Sequence, residues 1–348
     1  MEFYSESPVD VPSWIKGAIV LTVVVPVYNE QEVLPEFHRR LSAVLDSLSI
    51  VAEIVYVNDG SRDRTLEQLR RLKDFDGRVT LIDLSRNFGK EIAMTAGLDH
   101  AKGEAVVIID ADLQDPPELI PRLLEEWKQG HDVVYAKRVS RAGETSLKKS
   151  SAYLFYRLIQ GVSRVSIPED TGDFRLLSRR ALDVLKKVRE QHRFMKGLFA
   201  WVGFSQKAVS YNRDERFAGE TKWNYWKLWN FAIEGITSFT IAPLKIATYL
   251  GLAIAIGAFF YAGFIVFKTL VYGNPVAGYP SLMVTVLFLG AVQLITIGIM
   301  GEYIGRMFDE TKGRPLYLVN AYHNATVGTW PVELGARRSS DRQKVVNE

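Results

Sequence analysis

The sequence predicts an α/β fold built on a doubly wound, mostly parallel sheet, followed by a two-helix transmembrane hairpin. Three observations carry that prediction. Between residues 21 and 136, β-branched runs alternate with apolar residues at helical spacing, joined by short connections. Polar and acidic side chains follow those runs directly, at the strand ends where open α/β sheets place their ligands. Residues 246–267 and 281–301 contain no charge, and each run is just over 20 residues, the length a helix needs to cross a bilayer.

The elements follow in order. Residues 21–27 read as a strand ending in Pro26, Val27, Tyr28, Asn29 and Glu30. Val33, Leu34, Phe37, Leu41, Val44, Leu45 and Leu48 then mark a helix over residues 31–48. Residues 53–57 form a second strand that ends in Asn58, Asp59, Gly60 and Ser61, and Leu66, Leu69 and Leu72 mark the next helix. A third strand over 79–84 runs into Ser85-Arg86-Asn87-Phe88-Gly89-Lys90 and a helix near 91–101. Residues 106–109 read as a strand buried on both faces, as in a parallel sheet, and residues 133–136 as a fifth strand.

The fourth strand breaks into Asp110, Asp112 and Asp115, with Gln114 among them and the Pro116-Pro117 pair opening the next helix. Carboxylates and an amide crowded into one loop form a hard-oxygen cluster suited to Mg²⁺ or Mn²⁺ carrying substrate phosphates. The alternative is helix capping by Asp112 or Asp115, which leaves Asp110 unexplained. No Gly-x-Gly-x-x-Gly follows the first strand and no Walker loop is present, so the usual phosphate cradles are missing. Asp59 is placed to accept hydrogen bonds from a base or ribose, although Asn-Asp-Gly is also an ordinary turn sequence.

The 348 residues contain no cysteine, which excludes a disulfide framework and a thiol nucleophile, and the five histidines show no zinc-ligand spacing. The net charge of +3 says little globally, so basic character must act locally. Lys137, Arg138, Arg141, Lys148 and Lys149 form one such segment, and Leu147, Leu154, Phe155, Leu158 and Ile159 suggest an amphipathic helix within it. Arg138, directly after the fifth strand, is a candidate phosphate contact. Arg213, Arg216 and Lys222 precede a belt containing Trp223, Tyr225, Trp226 and Trp229, a pairing that suits the headgroup interface and can collect a lipid phosphate.

The turn between the two uncharged runs carries no Lys or Arg over residues 271–280, whereas Arg306, Lys312, Arg314, Arg337, Arg338, Arg342 and Lys344 follow the second run. The positive-inside rule puts both termini in the cytoplasm. Residues 1–16 are polar and lack the apolar core of a signal peptide.

Five motifs in order, Val25-Pro26-Val27-Tyr28-Asn29-Glu30, Val57-Asn58-Asp59-Gly60-Ser61, Asn87-Phe88-Gly89-Lys90, Asp110-Ala111-Asp112-Leu113-Gln114-Asp115-Pro116-Pro117 and Asp170-Thr171-Gly172-Asp173-Phe174-Arg175-Leu176, together resemble a family 2 glycosyltransferase of the GT-A fold. With the hairpin, the chain is similar to polyisoprenyl-phosphate glycosyltransferases of the GtrB type, relatives of dolichol-phosphate mannose synthase. The resemblance covers about residues 21–314.

The resemblance implies that Pro26, Tyr28, Glu30 and Asp59 hold a nucleotide, that Asp110 lies near the ribose and donor, and that Asp112 with Gln114 carries Mg²⁺ or Mn²⁺ on the diphosphate. It further implies Asp173 as the acceptor-side base, with Arg175 as a phosphate or base-orienting partner, in a segment expected between two helical stretches. The implied reaction is inverting transfer of one sugar, glucose from UDP-glucose as the preferred donor, to undecaprenyl phosphate. UDP-GlcNAc, GDP-mannose and a UDP-4-amino-arabinose derivative are alternative donors, and a noncatalytic nucleotide-binding adaptor and a processive polysaccharide synthase are rival readings. The implied partners are the nucleotide sugar, the polyprenyl phosphate, the lipid bilayer and further copies of the chain, a tetramer among the options, with no nucleic acid. The expected organisation is an N-terminal extension (1–20), the catalytic domain (21–222), juxtamembrane interfacial helices (223–245), two transmembrane helices (246–304) and a cytoplasmic tail (305–348), at the inner membrane.

Overall fold

The computed structural model describes residues 20–138, 171–211, 242–272 and 278–326. Arg213, Arg216, Lys222, the basic helix after Arg141, the aromatic belt before the hairpin and the last basic residues of the tail lie outside them.

Four parallel strands form the centre of the sheet: β1 (Leu21–Val27), β2 (Ala52–Asn58), β3 (Val79–Leu84) and β4 (Ala105–Ile108). Helices α1 (Leu34–Ser47), α2 (Thr65–Phe75) and α3 (Lys90–His100) connect them. After β4, a 3₁₀ turn at Pro117–Leu119 leads into α4 (Ile120–Lys128) and β5 (Val133–Arg138). Then come β6 (Thr171–Ser178), α5 (Arg179–Leu185), α6 (Met195–Trp201) and β7 (Gln206–Tyr211). The hairpin is α7 (Ala242–Tyr272) and α8 (Tyr279–Thr311), and the described chain closes with β8 (Val319–His323).

The strand order is β7-β5-β6-β4-β1-β2-β3-β8. β6 is antiparallel to both β4 and β5, and β8 is antiparallel to β3, so the sheet is mixed with a parallel majority. Two corrections to the sequence reading follow. Residues 171–178 form a strand rather than a loop between helices, because Phe174, Leu176 and Leu177 are buried in the middle of the sheet. Beyond the hairpin, residues 319–323 return to the edge of β3 instead of remaining wholly a tail.

Both faces of the parallel strands are buried, which explains why they read as continuous apolar runs rather than alternating ones. Glu53 is a fully buried acid there, between the equally buried Thr22 and Thr80. Glu53 accepts hydrogen bonds from Thr22 and Thr80 on the neighbouring strands, with Lys102 Nζ 3.4 Å away, so its charge is paired at the amino ends of β1, β2 and β3.

Helices α7 and α8 have 31 and 33 residues, about 46–50 Å at 1.5 Å per residue, enough to cross a hydrocarbon core of about 30 Å. Phe259, Phe264, Leu270 and Leu294 point outward, as bilayer-facing side chains do. The connection between α5 and α6 grips the C-terminal end of α8: Gln191 N–H donates to Glu310 (2.6 Å), its side-chain amide donates to Arg314 O (2.6 Å), and His192 lies 3.0 Å from Asp309.

The close contact of the α3–β4 connection with β1 generates a stability prediction. A Cβ at Gly103 would lie 2.6 Å from Thr22 N and 2.8 Å from both Ala105 O and Leu21 C, all main-chain atoms that cannot rotate away. Gly103→Ala should therefore cost about 1–3 kcal/mol as overpacking, read as a lower thermal unfolding midpoint of the purified protein.

Candidate active site

The crevice is assembled at the carboxyl ends of the parallel strands. Asn29 takes a left-handed conformation (φ 54) directly after β1. Its N–H donates to Ser61 Oγ (3.0 Å) and its side chain accepts from Arg62 N (2.8 Å), while Glu30 N–H donates to Thr65 Oγ1 (2.9 Å). The loops after β1 and β2 thus satisfy one another's backbone groups, and Pro26, Tyr28 and Glu30 remain half-buried beside them.

Asp59 fastens the third loop to the second. It is 2% exposed, and its two carboxylate oxygens accept Phe88 N–H (2.7 Å) and Gly89 N–H (3.0 Å). Burial outweighs these two bonds and raises its carboxyl above the ordinary value. Gly60 has φ +64, and a Cβ there would meet the backbone of Arg86 and Asn87 at 2.5 Å, so only glycine lets the two loops approach this closely.

After β4, Leu113 is held left-handed (φ 59), a strained state for a branched residue, and Asp112 accepts Gln114 N–H at 3.1 Å across it. Asp112 and Gln114 are half-buried at this turn. Among the described residues no group of three or more His, Asp or Glu could by itself hold a metal. A hard carboxylate and a hard amide oxygen fit an ion that brings most of its ligands with it as phosphate oxygens and water, the habit of Mg²⁺. Asp115 is no helix cap: it is buried, accepts the Tyr211 hydroxyl, and lies 4.0 Å from the Arg138 guanidinium. Pro116, the residue that precedes the 3₁₀ turn, makes no side-chain cap.

Asp173 reaches the same crevice through the register of β6. Ala105 pairs with Ser178 and Ile108 with Arg175, so continuing the antiparallel ladder by two residues sets Asp110 opposite Asp173, side chains on one face. Lys90, the first residue of α3, bridges them, with Nζ 2.7 Å from Asp110 Oδ2 and 2.5 Å from Asp173 Oδ2. Burial alone would raise Asp173, but the charges of Lys90, then Lys196 and Arg175, hold it well below the usual carboxylate range. Asp110 moves the other way, raised by burial and by Asp173's charge against the pull of Lys90.

Arg175 sits behind Asp173. At 4% exposure its guanidinium donates to Gly172 O (2.8 Å) and Asp173 O (3.4 Å) and lies 3.9 Å over the Phe199 ring. Burial lowers its pKa to about 10. These contacts orient the Asp173 backbone and leave the guanidinium turned away from solvent. Arg138 flanks the start of β6: its Nε donates to the Tyr211 hydroxyl (3.3 Å), and a Cβ on Gly172 would lie 3.1 Å from its guanidinium.

The structure therefore gathers Asp110, Asp173 and Arg175 around one point, and Asp59, Asp112, Gln114 and Arg138 at the rim that the strand ends define. The sequence places Lys90 at a strand end facing the crevice but gives it no role, and Glu91 and Tyr211 carry no such signal. The available signal was Lys90 itself, a cation on the first turn of a helix, where the macrodipole disfavours positive charge. Glu91 receives Met195 N–H at 3.2 Å, and burial together with Asp173's charge lifts its carboxyl.

Comparison with known proteins matches this architecture. Residues 22–186 match the family model of glycosyl transferase family 2, and residues 242–307 match that of the GtrB C-terminal hairpin. An uncharacterized glycosyltransferase of Synechocystis is 53% identical over 302 residues, covering 87% of this chain and 95% of that protein. The SfII prophage-derived bactoprenol glucosyl transferase of Shigella flexneri is 48% identical over 303 residues, covering 87% and 98%. A further uncharacterized glycosyltransferase, of Bacillus subtilis, is 48% identical over 301 residues, covering 86% and 93%. The chain belongs to the family 2 glycosyltransferases, in the group whose catalytic domain is followed by a GtrB-type C-terminal hairpin.

Proposed function

We propose that the protein transfers a single glucosyl unit from UDP-glucose to undecaprenyl phosphate at the cytoplasmic face of the membrane, with inversion at the anomeric carbon. The observation that carries this reading is the union, in one chain, of an acidic strand-end crevice and a membrane hairpin, an arrangement spanned nearly end to end by relatives named bactoprenol glucosyl transferase. The absence of Lys and Arg from the turn between α7 and α8, against the basic residues after α8, supports the cytoplasmic orientation.

In this reaction an oxygen of the lipid phosphate attacks the anomeric carbon, the bond to the diphosphate breaks, and its electron pair leaves with UDP. A phosphate monoester, with a second pKa of about 6, is largely dianionic near neutral pH and needs no base to become a nucleophile. The depressed pKa of Asp173 fits that chemistry: a carboxylate so firmly ionised is a poor proton acceptor and a good fixed charge for orienting a sugar hydroxyl. Pro26, Tyr28 and Glu30 would seat the nucleotide along the first strand end and Asp110 would lie beside the ribose, whereas Asp59, expected from the sequence to contact the nucleotide itself, is buried with both oxygens on the Phe88 and Gly89 N–H groups and would shape the seat through that loop.

Asp112 and Gln114 would hold a divalent ion, which when bound supplies Lewis-acid stabilisation of the departing diphosphate. On the acceptor side, Arg138 with Arg213, Arg216 and Lys222 would neutralise the lipid phosphate.

Two outcomes are expected. Membranes supplied with labelled UDP-glucose and undecaprenyl phosphate should yield one lipid-linked glucose; chelation should abolish it, Mg²⁺ or Mn²⁺ restore it, and Asp112→Ala lower kcat by about 10²–10³-fold. A product formed only from another nucleotide sugar would refute the glucosyl assignment. Arg138→Ala should raise the KM for the lipid phosphate by roughly 10–100-fold, the loss of one charge-assisted hydrogen bond, and leave the KM for UDP-glucose within about 3-fold. An equal rise in both constants would place Arg138 elsewhere.

A further inference from the structure

We propose that Lys90 is a positioning residue that joins the donor and acceptor halves of the crevice by holding Asp110 and Asp173 on a single ammonium group. The inference rests on the glycosyltransferase reading above and assigns the residue through which its two acidic halves act together.

Asp110 belongs to the loop after β4 and Asp173 to the start of β6; both are acids, and antiparallel pairing makes them neighbours. Two carboxylates forced together repel, and one of them would take a proton unless a cation lay between them. Lys90 Nζ is within hydrogen-bond distance of both. Among the described residues no other cation forms an ion pair with either carboxylate.

Lys90 is also in a costly place. It is the first residue of α3, at the positive end of the helix dipole, directly after the two N–H groups that Asp59 accepts. Helix stability does not account for a lysine there; the pair of acids does. The backbone sets its position closely, since Gly89 before it is left-handed (φ 97). Because Asp59 anchors residues 88 and 89, the nucleotide-side loop, the β4 loop and β6 converge on one side chain.

The Lys90 side chain is partly exposed along its length, while its ammonium is enclosed by the two carboxylates. Asp173 Oδ1 is buried and has no hydrogen-bond partner among the described residues. With Oδ2 held by Lys90 and Oδ1 turned inward, the carboxylate is fixed in one orientation at the crevice wall. Arg175 fixes the backbone of the same residue from behind.

The test compares Lys90→Met, Lys90→Arg, Asp173→Asn and the Lys90→Met/Asp173→Asn double variant in full-length protein, using UDP-glucose and undecaprenyl phosphate. Lys90→Met should lower kcat per folded enzyme by about 10²-fold with the KM for UDP-glucose within about 3-fold, and Lys90→Arg, which keeps the charge, should recover about 10-fold of that loss. The double variant should lose less than the product of the two single losses, since part of the effect of Lys90 runs through that carboxylate and the rest through Asp110. Additive losses, or a Lys90→Met protein whose only defect is a lower unfolding midpoint, would overturn the proposal. If the unsubstituted protein transfers no sugar from UDP-glucose, the functional reading fails, and the same four-protein cycle on thermal unfolding then decides the proposal: additive midpoints overturn it, coupled ones support it.

Discussion

The antiparallel entry of β6 between β4 and β5 is the constraint on which the crevice depends. A wholly parallel sheet delivers all its strand carboxyl ends to one edge, and those ends provide Asp59 and Asp110. It cannot bring a strand's amino end there. By running backwards, β6 delivers Asp173 to the same edge, and the register that pairs Ile108 with Arg175 fixes which residue arrives. A slip of one residue would turn Asp173 to the other face of the sheet and Arg175 with it. Burial of Phe174, Leu176 and Leu177 prevents that slip, so ordinary core packing specifies the placement of the charged group.

The strand-end loops are stiffened by polar groups turned inward. Asn29, Ser61, Thr65 and Asp59 spend their hydrogen-bonding capacity on neighbouring backbone N–H groups, which keeps three connections in fixed relation without secondary structure of their own. Left-handed Asn29, Gly60 and Gly89 lie in these connections and Leu113 in the one after β4. Loops cross-braced in this way over a rigid sheet are the pattern expected where a site is preorganised rather than moulded by its ligand.

Much of this was legible in the sequence, and the misses have physical causes. β1 to β5 announce themselves because strands buried on both faces must be continuously apolar, and α1, α2 and α4 because each covers the sheet with one apolar stripe, whereas α3 is buried nearly all round. The segment at 171–178 was misread because Asp173 and Arg175 interrupt its apolar run; the charges belong to the site and to the grip on it, and local pattern cannot distinguish them from a loop. β8 was hidden for the opposite reason. Val319–His323 lies at the sheet edge with little burial, so it carries no hydrophobic signature, and only pairing with β3 makes it a strand. Individual acids were visible as candidates. Their mutual arrangement was not, because the bridge at Lys90 spans residues 20 and 83 positions apart.

The return of β8 to β3 also bears on how the molecule is made. β3 is synthesised early, yet its edge partner emerges only after both membrane helices have left the ribosome. At about 5–20 residues per second, that edge stands open for on the order of 10–50 s. An unpaired strand edge is a template for mispairing with other chains. Completion of the sheet thus waits on synthesis of the hairpin: a chain cut short anywhere within the two membrane helices would carry a sheet lacking its outermost strand.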